Sequence, residues 1–204
     1  LNSVEIISHV KKFILNNPQK KIIINFHWNY EFEKYPQPAH RKLAHKLIDI
    51  GVYSIVGHGP HVVGPIEVYK NKYIIYSLGN WAMSRKRFYD GRLSFPSFCD
   101  YRIALEICPK GFIVHHCEFN LNTVNYIKSE KINSTNFSLL ADFQEFSDDE
   151  YLQWFRKKRI QKKLLPIYKD FNETKYNKIK DTYCYLRIFL IKILLLLRIK
   201  NFRK

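Results

Sequence analysis

Three apolar stretches of the sequence are each followed closely by side chains that can bind a transition metal. After KIIINF, YSIVG and YIIYS come, respectively, His27, the pair His58 and His61, and Asn80. Because the carboxyl ends of neighbouring strands meet at one edge of an open sheet, we expect these side chains to converge. Imidazole nitrogens combined with an amide oxygen suit Zn, Mn or Fe. The sequence therefore predicts a site for a divalent transition metal at this edge.

The segment GHGPH limits how its two histidines can be presented. A Gly-Pro step between His58 and His61 excludes a helix and favours a tight turn, so that both rings can point the same way. A histidine taken alone is more often a hydrogen-bonded loop or core residue. Here, metal-binding side chains follow three different predicted strands, and this repetition favours a metal site.

Other residues capable of chemistry receive structural interpretations. His40 and His45 share a predicted helix with basic neighbours, and we expect them on its solvent-facing surface. His115 and His116 are adjacent on a predicted strand and point to opposite faces, which excludes a shared metal. The four cysteines show no C-x-x-C spacing, so we expect free thiols and no zinc ribbon.

The elements that carry these side chains follow from hydrophobic spacing. In chain order it predicts helix 3–16, strand 21–26, helix 38–50, strand 53–57, a strand pair over 66–78 and a hairpin over 102–119. A strand, a helix, a strand and then antiparallel hairpins are typical of an α/β or α+β layer with a mixed sheet.

Three segments resemble the second half of the CapA family, the poly-γ-glutamate capsule biosynthesis proteins with a calcineurin-like metallophosphoesterase fold. They are HWNYE at 27–31, LAHKLIDIGVYSIVGHGPHVVGPIEVY at 43–69 and KYIIYSLGNW at 72–81. The resemblance extends over about residues 20–118. It implies a partial metallophosphoesterase-like mixed sheet with helices.

The resemblance also implies roles for individual residues. His27, His58 and His61 would be metal ligands. Glu31 would lie in or beside the ligand set and handle protons, and Asn80 would line the site. One or two ions of Mn, Zn or Fe would serve a metal-dependent, phosphoesterase-like hydrolase. The family is associated with capsule polymer synthesis and export, so a surface polymer or its precursor is the expected partner.

The sequence departs from the family pattern at three positions. Asn29, Tyr53 and Gly59 stand where the family has Gly, Asp and His. The early family motifs that contribute aspartate and asparagine ligands have no counterpart before His27, so we expect this chain to be part of a longer protein. The alternative is a non-catalytic assembly or membrane-attached module with a decayed metal site.

Positive charge is concentrated in the last part of the chain. The formal net charge is +16, and residues 151–204 hold 16 Lys and Arg against three acidic residues. Within this part, YCYLRIFLIKILLLLRI at 183–199 is apolar with three inserted cations. The pattern predicts a helix over 183–204 that lies in an anionic membrane interface or docks on another protein. Few aromatic residues interleave with the basic run, so nucleic-acid binding is not favoured.

These observations divide the chain into three parts. Residues 1–120 form the CapA-like half-domain, 121–145 a linker and 146–204 a basic helical tail. A peripheral membrane location or a cytoplasmic one fits this organisation.

Overall fold

A computed structural model describes residues 3–81, 95–108, 111–120, 123–132, 137–159 and 164–197. The helices in these ranges are α1 Ser3–Asn16, α2 Pro38–Asp49, α3 Asp148–Lys158 and α4 Thr174–Leu196. The strands are β1 Ile23–His27, β2 Ser54–His58, β3 Ile66–Tyr69, β4 Lys72–Ile75, β5 Tyr101–Cys108, β6 Gly111–Asn120 and β7 Thr123–Lys131. The predicted α/β class with a mixed sheet is confirmed.

The first sheet positions the candidate site. Its strand order is β1-β2-β4-β3, with β1, β2 and β4 parallel and β3 antiparallel to β4. β-Branched residues such as Ile55 and Ile74 fill the two central strands and are fully buried. Among the described residues β1 is an edge strand, and Asn25 and His27 on it are exposed.

Helices cover one face of this sheet. Leu43 and Leu47 of α2 pack against Ile55 and Ile74, and the same apolar cluster takes in Phe155 of α3. Burying a side chain of this size contributes about 1.5–3 kcal/mol relative to leaving it exposed. This layer holds the strands that end at the candidate site.

The second sheet covers the opposite face. It has the antiparallel order β5-β6-β7, and Ile103 and Val114 pack against Val56 and Ile75 of the first sheet. The molecule therefore stacks helices, a mixed sheet and an antiparallel sheet in successive layers.

The predicted linker over 121–145 is corrected by strand β7, which pairs with β6 along Thr123–Lys131. Nearly all β7 side chains are exposed, so backbone pairing and not side-chain burial stabilises this strand. Further along, Phe143 is fully buried in the core beneath the helices. Residues 121–122 and 133–136 lie outside the described ranges.

The predicted basic tail is also corrected, because α3 belongs to the core. Ser147 and Glu150 form a capping box at the start of α3, and Tyr151 and Phe155 are buried. The helix ends at Lys158. Residues 160–163 and 198–204, which also fall within the predicted tail, lie outside the described ranges.

Helix α2 corrects the expectation for His40 and His45. His40 is buried, and His45 Nε2 lies 3.1 Å from the fully buried Glu67 carboxylate. Arg41 Nε donates to Glu67 Oε1 at 2.9 Å, and Tyr76 Oη donates to Glu67 Oε2 at 2.5 Å. The face of α2 that was expected to be solvated therefore anchors the helix to the sheet through a buried ion pair.

None of the described helices combines the length and apolarity needed to cross a membrane.

Candidate functional site

His27 and His58 end neighbouring parallel strands and are directly in register. Paired residues of parallel strands point to the same side of the sheet, so the two imidazoles lie side by side. His27 is exposed and His58 is half-buried. Burial lowers the pKa of His58, and the charge of His27 lowers it further. A neutral imidazole is the form that binds a metal, so this environment favours ligation.

Backbone hydrogen bonds join the loops that follow the two strands. The Trp28 N–H donates to the His58 carbonyl at 2.9 Å, and the Phe32 N–H donates to the Pro60 carbonyl at 2.7 Å. The indole Nε1–H of Trp28 donates to the Tyr76 carbonyl at 2.9 Å. These bonds fix the position of the 58–61 turn relative to His27.

Gly59 fits this turn because its backbone admits no side chain. Its φ is +115°, and an added Cβ would lie 2.5 Å from the Trp28 carbonyl oxygen and 3.2 Å from His27 Cε1. The histidine that the family pattern places here would collide with the loop that carries His27. The departure at Gly59 is thus part of the local geometry of this chain.

His61 is oriented by Asn80. His61 Nδ1 and Asn80 Oδ1 are 2.6 Å apart, and Asn80 is buried. With the amide oxygen accepting, Nδ1 carries the proton and Nε2 keeps its lone pair for a ligand. Asn80 therefore orients the His61 ring.

The backbone at the site is strained at several positions. His61 has φ +63°, Phe32 has φ +63° and Asn29 has φ +70°, all in the left-handed region. Residues held in such conformations cost of order 1–3 kcal/mol each and cluster at functional sites. Asn tolerates this region well, which explains how Asn29 replaces the glycine of the family pattern.

Two further positions are Glu31, which the resemblance assigns to the site, and Tyr53, which stands where the family pattern has Asp. Glu31 is exposed in the turn after β1. Among the described residues it forms no side-chain hydrogen bond or ion pair. Tyr53 precedes β2 at the opposite end from His58, where its ring packs near Phe112. The loss of the family aspartate at Tyr53 therefore leaves the strand-end region unchanged.

The donors at this edge are suitable in kind but few in number. In the part of the chain that the structure describes, no group of three or more His, Cys, Asp or Glu residues is close enough to hold a metal ion. His27 and His58 form one pair, and His61 is engaged with Asn80. A four-coordinate metal would need further ligands beyond this pair.

Two cavities flank the histidines. One of about 450 Å³ is lined by His27, Trp28, His40 and residues of α4. The other, of about 470 Å³, lies beyond His61, and its lining includes Phe32, Glu33, Lys34, Val62, Lys158 and Arg159. The first cavity has the candidate ligand His27 in its wall, and the second is lined by Val62, the neighbour of His61 in the chain.

A buried ion pair that sequence reasoning missed supports the loop after β1. Arg159 Nε donates to Glu33 Oε2 at 2.6 Å, and both side chains are buried. Arg159 Nη1 also donates to the Leu165 carbonyl at 2.7 Å. The partners are 126 positions apart, and no local pattern in the sequence connects them.

Comparison with known proteins gives consistent results over the first part of the chain. Residues 2–85 match the family of bacterial capsule synthesis proteins, PGA_cap. The PGA biosynthesis protein CapA of Bacillus subtilis (strain 168) is 42% identical over 64 residues, which are 31% of this chain and 17% of that protein. The capsule biosynthesis protein CapA of Bacillus anthracis is 41% identical over 64 residues, 31% of this chain and 16% of that protein.

A more distant relative comes from Mycobacterium tuberculosis. Its probable polyglutamine synthesis accessory protein is 36% identical over 58 residues, 28% of this chain and 15% of that protein. The match thus spans about a sixth of the length of each of these curated relatives.

Proposed function

We propose that this chain takes part in the biosynthesis of a capsule or surface polymer of the poly-γ-glutamate type, because residues 2–85 match the bacterial capsule synthesis family and are similar to two CapA proteins. This similarity is what supports the biological process. The role of this chain within the process rests on the strand-end residues.

The second part of the proposal is that His27, His58 and His61 contribute imidazole ligands to a divalent transition metal, Mn, Zn or Fe. The observation that supports it is the register of His27 opposite His58 at the carboxyl edge of the sheet, with their loops joined by hydrogen bonds. Such a metal, when bound, polarises a phosphoryl or related group and lowers the pKa of bound water. A complete site requires ligands that the described residues do not supply.

The residues of this chain would then position the donors. Asn80 holds the His61 ring in one tautomer, which leaves Nε2 as the donor nitrogen. The strained turn at His61 fixes the ring direction, so little rearrangement is needed on binding. Glu31, exposed four positions after His27 in the chain, would exchange protons with solvent.

The proposed partner is the polymer or its precursor. Poly-γ-glutamate carries one carboxylate per residue, and the cavity beyond His61 is lined by Lys34 and Lys158, both exposed. Positive charge at the wall of a cavity attracts a polyanion and is screened by salt. Arg159 in the same wall is already paired with Glu33 and contributes less.

A second candidate function is a non-catalytic assembly module of the same biosynthetic system. The geometry at Gly59 favours it, because the family histidine does not fit between His58 and the Trp28 carbonyl. Loss of such a donor near a reacting phosphoryl group typically costs on the order of 100-fold or more in rate. Metal binding separates the two candidates.

The test is metal content of the untagged protein after equilibration with Zn²⁺ or Mn²⁺ and gel filtration. We expect bound metal in the wild type and its loss in the double variant His58→Ala/His61→Ala. The matched control is His9→Ala/His115→Ala, which removes two histidines outside the site. Equal metal in all three proteins would refute the ligand assignment and leave the assembly role.

A further inference from the structure

Helix α4 presents an apolar stripe to the outside of the molecule. Leu186, Phe189, Leu190, Ile193 and Leu197 recur at positions i, i+3, i+4, i+7 and i+11, which places them along one side of a helix. Apart from the half-buried Ile193, these side chains are 58–61% exposed. A contiguous patch of this kind on a soluble protein marks an interaction surface.

The opposite side of α4 holds the helix against the rest of the protein. Asn177 Nδ2 donates to the Asp170 carbonyl at 2.8 Å, and Cys184 Sγ lies 3.5 Å from Tyr30 Oη. Leu195, on the same side, is 3% exposed. These contacts hold that side of α4 against the protein and leave the stripe outward, and Tyr185, Ile188 and Leu196, which are outside the stripe, are exposed as well.

Two cations flank the stripe. Arg187 and Lys192 are exposed, and at 3.6 residues per turn each lies about 110° from the centre of the stripe, on opposite sides. The sequence contains no Asp or Glu after Asp181. Long basic side chains in this position can keep their charge at the level of lipid headgroups while the leucines enter the acyl boundary.

We propose that α4 docks lengthwise on an anionic lipid surface through the stripe of Leu186, Phe189, Leu190, Ile193 and Leu197. Charge complementarity selects this occupant, because flanking cations without nearby acids match anionic headgroups. If a second copy of this chain packed on the same stripe, Arg187 and Lys192 of one copy would lie close to the basic side chains of the other. These like charges would repel each other. The basic side chains Arg156, Lys157 and Lys158 at the end of α3 are exposed and add to the positive field.

The first experiment measures sedimentation of the full chain with vesicles. We expect binding to vesicles of phosphatidylglycerol and phosphatidylcholine, and weak binding to phosphatidylcholine alone. Raising the salt concentration should weaken the binding without abolishing it, since screening acts on the cations and not on buried apolar side chains.

Point variants separate the stripe from other exposed apolar residues. The variant Leu186→Ser/Phe189→Ser/Leu190→Ser keeps the inward side of α4 and should lower the partition coefficient on the order of 100-fold. The matched control Val124→Ser/Tyr126→Ser/Ile127→Ser removes three exposed apolar side chains from β7 and should bind as the wild type does. Replacing Arg187 and Lys192 by Gln should cost about fivefold each on anionic vesicles only.

Circular dichroism establishes that each variant is folded before binding is compared. The proposal is overturned if the wild type stays in the supernatant at low salt, or if the stripe variant and the β7 control lose binding equally. It is also overturned if the wild type forms a dimer that only the stripe variant loses, with no vesicle binding, since the stripe would then be a protein interface.

Discussion

The buried His40 should make the protein sensitive to mild acid. Burial lowers the pKa of His40 from 6.5 to about 3. The unfolded chain therefore takes up a proton near pH 6.5, whereas the native state stays neutral until about pH 3. The contribution of His40 to stability is therefore fully present above pH 6.5. It is lost as the pH falls towards the native pKa of about 3.

The size of the effect follows from linkage. Each unit of pH between the two pKa values costs about 1.4 kcal/mol, so the free energy of unfolding should fall by about 2 kcal/mol from pH 7 to pH 5 on account of His40. Burial also lowers the pKa of His58 and of His116, which act in the same direction. The contribution of His40 is isolated by comparing variants.

The variant His40→Phe removes the titration and keeps a ring to stack on Trp28, whose centroid lies 5.0 Å away. His40 Nδ1 is buried and has no hydrogen-bond partner among the residues that the structure describes, so the replacement should leave stability at pH 7 unchanged or raise it.

The assay is urea unfolding followed by tryptophan fluorescence at pH 7 and pH 5. The control is His115→Gln, which changes a partly exposed histidine on β6 and should lose stability with pH as the wild type does. If His40→Phe loses as much stability as the wild type between these pH values, the reasoning from burial is refuted.

Three further changes test the geometry of the site and the core. Gly59→Ala should lower the free energy of unfolding by about 2 kcal/mol or more in urea unfolding, because φ is +115° and the new Cβ meets the Trp28 carbonyl. A loss under about 0.5 kcal/mol would contradict the turn geometry. Asn80→Ala should weaken metal binding about 10- to 100-fold in titration calorimetry, since His61 loses its orienting partner; an unchanged Kd would contradict this role. Glu67→Gln should lower the free energy of unfolding by about 3–5 kcal/mol in urea unfolding, because it leaves Arg41 charged and buried. Adding Arg41→Met should restore part of that loss. If the double variant is no more stable than Glu67→Gln, the ion pair is not the cause.

Strong periodicity made the elements around the site predictable from sequence. The helix predicted over 3–16 is α1 with the same bounds, and the strand predicted over 53–57 differs from β2 by one residue at each end. The first has apolar residues at helical spacing over fourteen positions, and the second is an apolar run that is short for a helix. The placement of His27 beside His58 followed from the rule that parallel strands end at one edge.

Long-range partners are what the sequence did not predict. The basic neighbours of His45 and Arg41 indicate a solvent-facing surface. In the structure both side chains instead contact the buried carboxylate of Glu67 on β3. Strand β7 has few buried side chains, so its pairing with β6 left no apolar alternation to recognise. Both errors arise from partners distant in sequence, whose contribution no local pattern records.

The inward contacts of α4 have a consequence for the entropy of membrane docking. A free peptide of 174–197 would have to become ordered as it bound, at roughly 1 kcal/mol or more per residue. In the protein, Asn177 and Leu195 already hold the 23 residues of α4 as a helix before any lipid is met. Docking would therefore proceed without a gain in helicity, and the folded chain should bind more tightly than the isolated segment.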